Sequence, residues 1–158
     1  MSNVELTRKT PAEDYTPQRT PTISNTGIVM LDPLWGTIQP IVSYPGVVTI
    51  GELELIEHIR SIGAVIDTRQ TQYLDSSGRI PTALSAPWQS IVEDVRSHIE
   101  HKILTENSVL ALYCNGPQCA ATPKAIQLLI DSGWPAAQIL YYRGGIMDWV
   151  SLGLPLQD

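Results

Sequence analysis

The sequence predicts an α/β domain: a mostly parallel central sheet with helices packed on both faces. Three observations carry that expectation. The runs "AVID", "VLALYC" and "QILYYR" are short and apolar without polar alternation, as in strands buried on both faces. Segments with helical spacing of apolar residues stand between them. The strand and helix patterns alternate along the chain, which is the order that builds parallel sheets.

Residues 1–45 stand apart. "TPAEDYTPQRTPTISNTG" is rich in Thr, Pro and polar residues, has no hydrophobic period, and is expected to be extended or partly disordered. The stretch after it carries Met30, Leu31, Leu34, Trp35, Ile38 and Ile41, but Pro33, Pro40 and Pro45 oppose a helix or a central strand. Two readings of this arm stand open: it packs on its own domain, or it packs on a second subunit and makes a homodimer.

The regular pattern begins at Val47, so the domain is placed at residues 46–158. "TIGELELIEHIRSIG" opens with Thr49 and Glu52 at capping-box spacing, turns Leu53, Ile56 and Ile59 inward, and closes at Gly63. "AVID" is the first buried strand, "SSGRIP" a turn and "ALSAP" a second short strand. "QSIVEDVRSHIEHKI" is a helix with Ile91, Val95 and Ile99 inward, and "TENS" ends it before "VLALYC". "TPKAIQLLIDSG" reads as a helix with Thr122 as N-cap, Pro123 in the first position and Gly133 past the end. "QILYYR" is the last strand, and "GGIMDWVSLG" a short helix stopped by Gly153 and Pro155. Trp149 and Tyr113 read as packing residues, and Trp88 as core or as a wall of the site.

Composition excludes several classes. The net charge is −6 and no Lys/Arg cluster exists, so the footprint of a nucleic-acid binder is missing. No apolar run reaches the roughly 18–20 residues of a membrane span. "MSNVELTRKTPAEDY" has no apolar segment of the secretory kind, which makes the cytoplasm the expected compartment, or the periplasm if a signal has been removed. Of the three histidines, His98 and His101 share a charged helical stretch with Glu93 and Asp94, the pattern of a solvated face rather than a metal site; His58 stands alone. No metal and no cofactor is expected.

Both cysteines lie in "VLALYCNGPQCAATPKAIQLL". Sites in open α/β sheets lie at the carboxyl ends of strands, and Cys114 ends its strand. A thiol reacts as thiolate, and backbone N–H groups at a helix start can stabilise that charge. The segment from Asn115 to Ala121 must turn back over the strand end. Gly116 permits positive φ and Pro117 pins the next residue, so the loop can gather N–H groups into an anion-binding nest. A structural cysteine could occupy the same place.

From Val47 to Pro155 the chain resembles the rhodanese-like domain of the sulfurtransferase superfamily. "AVIDTR" looks like the family's strand ending in Asp-x-Arg. "SSGRIPTAL" is similar to its Gly-His-Ile-Pro-Gly-Ala motif, with Arg79 and Thr82 at variant positions. "LALYC" resembles the strand that delivers the catalytic cysteine, and "YYRGGIMDWVSLGLP" the Gly-Gly-x-x-x-Trp-x-x-x-Gly-Leu-Pro ending. The resemblance implies a sulfurtransferase with a persulfide on Cys114. Sulfur from thiosulfate or a persulfide donor would pass to a small thiophilic acceptor or a protein thiol. The resemblance makes Asn115, Gly116, Pro117, Gln118, Cys119, Ala120, Ala121 and Thr122 the substrate-binding loop.

The loop departs from the family's Cys-x-x-Gly-x-Arg-Ser. It is longer, and Ala121 takes the arginine's place. A dianionic donor binds better beside a guanidinium, so thiosulfate is a weakened expectation. Lys124 and Arg143 are candidate charges; Asp67 and Arg69 are candidate supports that hold neighbouring loops. Ala120 stands where the phosphatase branch of the fold needs its arginine, which weighs against that branch. Cys119 has three readings: a packing residue, a thiol that resolves a persulfide or sulfenate on Cys114, or the carrier itself. The alternative to an enzyme is a non-catalytic module that binds a partner or senses oxidants through the Cys114/Cys119 pair.

Overall fold

The computed structural model of the chain describes residues 22–23, 29–30, 37–71 and 78–157. Most of the N-terminal arm, and the start of the "SSGRIP" turn, lie outside the described residues. Within the arm, β1 (Thr22–Ile23), β2 (Val29–Met30) and β3 (Thr37–Ile38) pair antiparallel as a small meander.

The main sheet has the parallel order β4-β8-β7-β5-β6, formed by β4 (Val48–Ile50), β5 (Ala64–Asp67), β6 (Leu84–Ser85), β7 (Leu110–Tyr113) and β8 (Ile139–Tyr142). Helices α1 (Glu52–Arg60), α2 (Ile91–Glu100), α3 (Ala121–Asp131) and α4 (Gly145–Ser151) cover it. Every residue of β7 is buried, as its unbroken apolar sequence requires. Alternation sends Leu110 and Leu112 to one face, against Ile91 and Val95 of α2 and Ile126 and Leu129 of α3. Ala111 and Tyr113 go to the other, against Leu55 of α1 and Ile146 and Trp149 of α4. Helices on both faces and a parallel sheet are what the alternating pattern predicts.

The chain leaves β5 toward β6 at one edge and leaves β7 toward β8 on the opposite side. The point of reversal lies between β5 and β7. A crevice forms there, outside the carboxyl ends of the two strands. Asp67 ends one strand and Cys114 follows the other.

Four local expectations need correction. Leu53 is 80 % exposed, and Leu55 is the residue of α1 that is fully buried. The apolar positions admit two helical phases, and the packing of Leu55 with Val65 and Trp149 selects the other one. Thr49 does not cap α1. It belongs to β4, its hydroxyl goes to the Ile41 carbonyl, and Gly51 holds the N-cap position. The left-handed residue after α1 is Ile62 (φ 59°), not Gly63; the ring of His58 occupies the place of a Gly63 side chain. Thr122 is not the N-cap of α3 either, because the helix starts two residues earlier than expected, at Ala121 after Ala120. Pro123 then falls on the third helical position, where the missing N–H costs no intrahelical bond.

Candidate active site

The cysteine loop is held from three sides. From below, the side chain of Cys114 continues the alternation of Leu110 and Leu112 and points to the α3 face; it is 2 % exposed. From the side, the first turn of α4 takes two loop carbonyls: Ile146 N–H donates to Cys114 O (3.0 Å) and Met147 N–H to Asn115 O (3.0 Å). Gly145 permits that approach. Its φ is +64°, and an added Cβ would stand 2.5 Å from Cys114 O and 2.7 Å from Gly116 N. From above, the backbone of Gln39 crosses the loop, its N–H donating to Pro117 O (2.7 Å).

Inside the loop, Cys119 N–H donates to Gly116 O (3.0 Å), a turn that folds the second cysteine back over the first. Cys114 Sγ donates to Cys119 O (3.6 Å), which brings the two thiols next to each other. Thr122 presents both its hydroxyl and its backbone N–H to Cys114; Ala121 and Asn115 present N–H groups to Cys119. Two sulfurs therefore share one nest at the start of α3, where the helix dipole adds to the N–H groups.

The pair holds its charge unequally. Burial pushes Cys114 well above the ordinary thiol range, and the neighbouring Cys119 adds to the rise. The hydrogen bond from Cys114 pulls Cys119 down to about 6, helped by the Ala121 and Asn115 N–H groups and the field of Arg69. Cys119 is also the more open of the two.

Thr122 sits between Cys114 and Thr68, with Thr68 Oγ1 at 2.9 Å; Thr68 in turn lies 3.0 Å from Tyr113 O. The Tyr113 carbonyl also receives the Thr68 N–H (3.0 Å). The Thr68 hydroxyl can therefore swing to Thr122 without stranding that carbonyl. Thr122 is then released to donate to a Cys114 thiolate.

Asp67 and Arg69 form a buried pair beneath the site. Arg69 Nη2 and Nε reach the Asp67 carboxylate at 2.7 and 3.0 Å, and Nη2 also donates to Gly78 O (2.7 Å). The Tyr113 hydroxyl donates to Asp67 Oδ2 (2.7 Å) and accepts the Ile80 N–H (3.1 Å). Burial opposes the charge on Arg69, but Asp67 outweighs it and the guanidinium is held more firmly protonated than usual. Burial and Asp67 keep Tyr113 protonated. These bonds join the ends of β5 and β7 to the 78–80 turn.

The two candidate charges are differently placed. Lys124 is exposed on the first turn of α3, its ammonium 4.7 Å from the ring centre of Trp88. Arg143 donates from Nε (3.0 Å) and Nη2 (2.8 Å) to Gln39 O. Gln118 donates to Met147 Sδ (3.0 Å) and packs over Gly116. Sequence reasoning missed Gln39, Thr68 and Gly145. Thr68 stands between the two noted members of "DTR", and Gly145 in the noted Gly pair, but nothing local announces Gln39.

Among the described residues no cluster of His, Cys, Asp and Glu is arranged to hold a metal ion. The His101 ring engages the Ser97 carbonyl of its own helix, and His58 the Ala64 carbonyl. No helix among them is long and apolar enough to cross a membrane.

The sequence profile of the rhodanese-like domain matches residues 52–152, and the chain belongs to that family. A search of curated proteins gives no match. Solved structures share the fold. A protein of unknown function from Rhodopseudomonas palustris CGA009, described as a possible tyrosine phosphatase, is 19 % identical with TM-score 0.57, covering 73 % of this chain and 88 % of its own. The rhodanese-like domain of an Anabaena sp. protein is 20 % identical with TM-score 0.56, covering 69 % and 77 %. A thiosulfate sulfurtransferase from Pseudomonas aeruginosa is 18 % identical with TM-score 0.54, covering 70 % of this chain and 20 % of that longer enzyme.

Proposed function

We propose that the protein is a sulfurtransferase that carries a sulfane sulfur as a persulfide on Cys114. The observation that supports this most is the Cys114 sulfur at the carboxyl end of β7, facing the Thr122 N–H and hydroxyl at the start of α3. In the resting pair the charge rests on Cys119. Shifting one proton from Cys114 to Cys119 places it on Cys114, where Thr122 receives it. The Cys114 thiolate attacks the outer sulfur of the donor, the donor's sulfur–sulfur bond breaks, and sulfite or a thiolate leaves. An acceptor nucleophile then takes the outer sulfur. This is covalent catalysis in two steps, and it calls on no cofactor.

The donor that fits is a small-molecule or protein persulfide rather than thiosulfate. Arg143 is engaged with the Gln39 carbonyl, Arg69 with Asp67, and Lys124 with Trp88. The loop position that would grip a dianion is Ala121. The test is intact mass after anaerobic incubation with glutathione persulfide or thiosulfate. Cys119→Ser is expected to gain the mass of one sulfur atom, more readily from the persulfide, and Cys114→Ser to gain none. A gain in Cys114→Ser makes Cys119 the carrier. A gain in neither leaves the pair a redox or binding device.

A further inference from the structure

We propose that the protein also reduces its own persulfide: Cys119 attacks Cys114, releases hydrosulfide and leaves a Cys114–Cys119 disulfide for an external dithiol to reduce. This rests on Cys114 being the sulfur carrier. It adds a second fate for the carried sulfur, release as sulfide instead of transfer to an acceptor.

The geometry supports it in three ways. The loop folds Cys119 back onto Cys114, with Cys114 Sγ donating to the Cys119 carbonyl at 3.6 Å, so the two residues are already in contact. The turn from Gly116 O to Cys119 N–H (3.0 Å) holds the second cysteine over the first across the four intervening residues 115–118. The resolving sulfur lies on the Ala121 and Asn115 N–H groups, which favour its thiolate and therefore its nucleophilic form.

The position also decides which sulfur is attacked. Cys119 neighbours the Cys114 sulfur itself, the inner sulfur of a persulfide. Attack there breaks the bond between the inner and outer sulfurs. The Cys119 thiolate and the Cys114 persulfide become the disulfide plus HS⁻, with the outer sulfur leaving as the reduced product. Hydrosulfide is the better leaving group, because hydrogen sulfide is a stronger acid than an alkyl thiol. The cysteines have then been oxidised by the sulfane sulfur they received. Two electrons from a dithiol restore both thiols and complete a cycle that converts a persulfide to its thiol and sulfide.

The experiment loads the full chain with glutathione persulfide, anaerobically and in limiting amount, with no added thiol. Wild type, Cys119→Ser, Cys119→Ala and Cys114→Ser are compared by sulfide release, intact mass and alkylation of free thiols. Wild type should release about one sulfide per chain, lose the mass of two hydrogens and resist alkylation until a dithiol is added. The two Cys119 variants should keep the added sulfur and release sulfide at least about tenfold more slowly. The proposal is overturned if wild type keeps the added sulfur as long as the Cys119 variants and both its thiols stay open to alkylation. If the Cys119 variants never gain sulfur, or Cys114→Ser gains it, the carrier assignment fails and the resolution step falls with it.

Discussion

At the scale of single residues, the protein sets two chemically identical side chains apart by their surroundings. Cys114 is shut into the α3 face of the sheet, and burial opposes its charge; Cys119, five positions on, takes the charge from it through one hydrogen bond. The distinction has a pH signature. A thiol pulled down to about 6 is mostly thiolate at neutral pH, so alkylation of Cys119 by iodoacetamide should rise through about pH 6 and level off by pH 7. Replacing Cys114 by Ala removes the donated hydrogen bond, the largest cause of the shift, and should move that rise upward. Rates followed by peptide mass spectrometry from pH 4.5 to 9 check this; an unchanged midpoint in Cys114→Ala would mean the loop N–H groups alone hold the charge. Sequence reasoning could place Cys114 at a strand end, because "VLALYC" is wholly apolar up to the sulfur. It left Cys119 open among three roles, since the backbone turn that brings the two sulfurs together is written in no side chain.

Among the elements, α4 does more than cover the sheet. It is a short helix whose first N–H groups are spent on the carbonyls of Cys114 and Asn115. Gly145 makes that possible through its positive φ and its lack of a Cβ. Gly145→Ala must either leave the left-handed conformation or push the cysteine loop away. It should cost at least about 2 kcal/mol of stability, from backbone strain plus the displaced loop. Urea unfolding measures the cost, and circular dichroism confirms that the variant still folds. An alanine accepted within about 0.5 kcal/mol would show that the loop and α4 are not rigidly joined. The elements themselves were legible because the buried strands are short and apolar and the helices are periodic. Their phases were less so. In α1 both Leu53 and Leu55 satisfy a helical stripe, and only the tertiary neighbours of Leu55 choose between them. At α3 a Thr-Pro pair looks like a helix start, yet Thr122 is drawn inward by Thr68 and the sulfur, and the helix begins before it.

The whole molecule carries a net charge of −6. A chain of that charge repels a dianionic donor, and counter-ions screen the repulsion over a Debye length of about 8–10 Å at physiological ionic strength. Sulfur loading from thiosulfate should therefore speed up modestly, about two- to threefold, between 20 and 200 mM sodium chloride, whereas loading from a neutral persulfide should not respond. Stopped-flow or quenched mass measurements at the two salt levels distinguish these cases. A thiosulfate rate that falls with salt would point to a cationic docking point near the loop, with Lys124 the first residue to replace.

The Gln39 backbone lies between two partners that belong to the domain proper, its N–H on the Pro117 carbonyl and its own carbonyl on the Arg143 guanidinium. The family's sequence match begins only at residue 52. A protein trimmed to that boundary would keep every strand and helix of the main sheet from α1 onward, yet lose β4 and the clasp over its cysteines. Arg143 would be left with no carbonyl to bind and would be free to turn toward an incoming anion. The trimmed domain could then accept thiosulfate better than the full chain does, so donor preference measured on an isolated domain would describe a different protein.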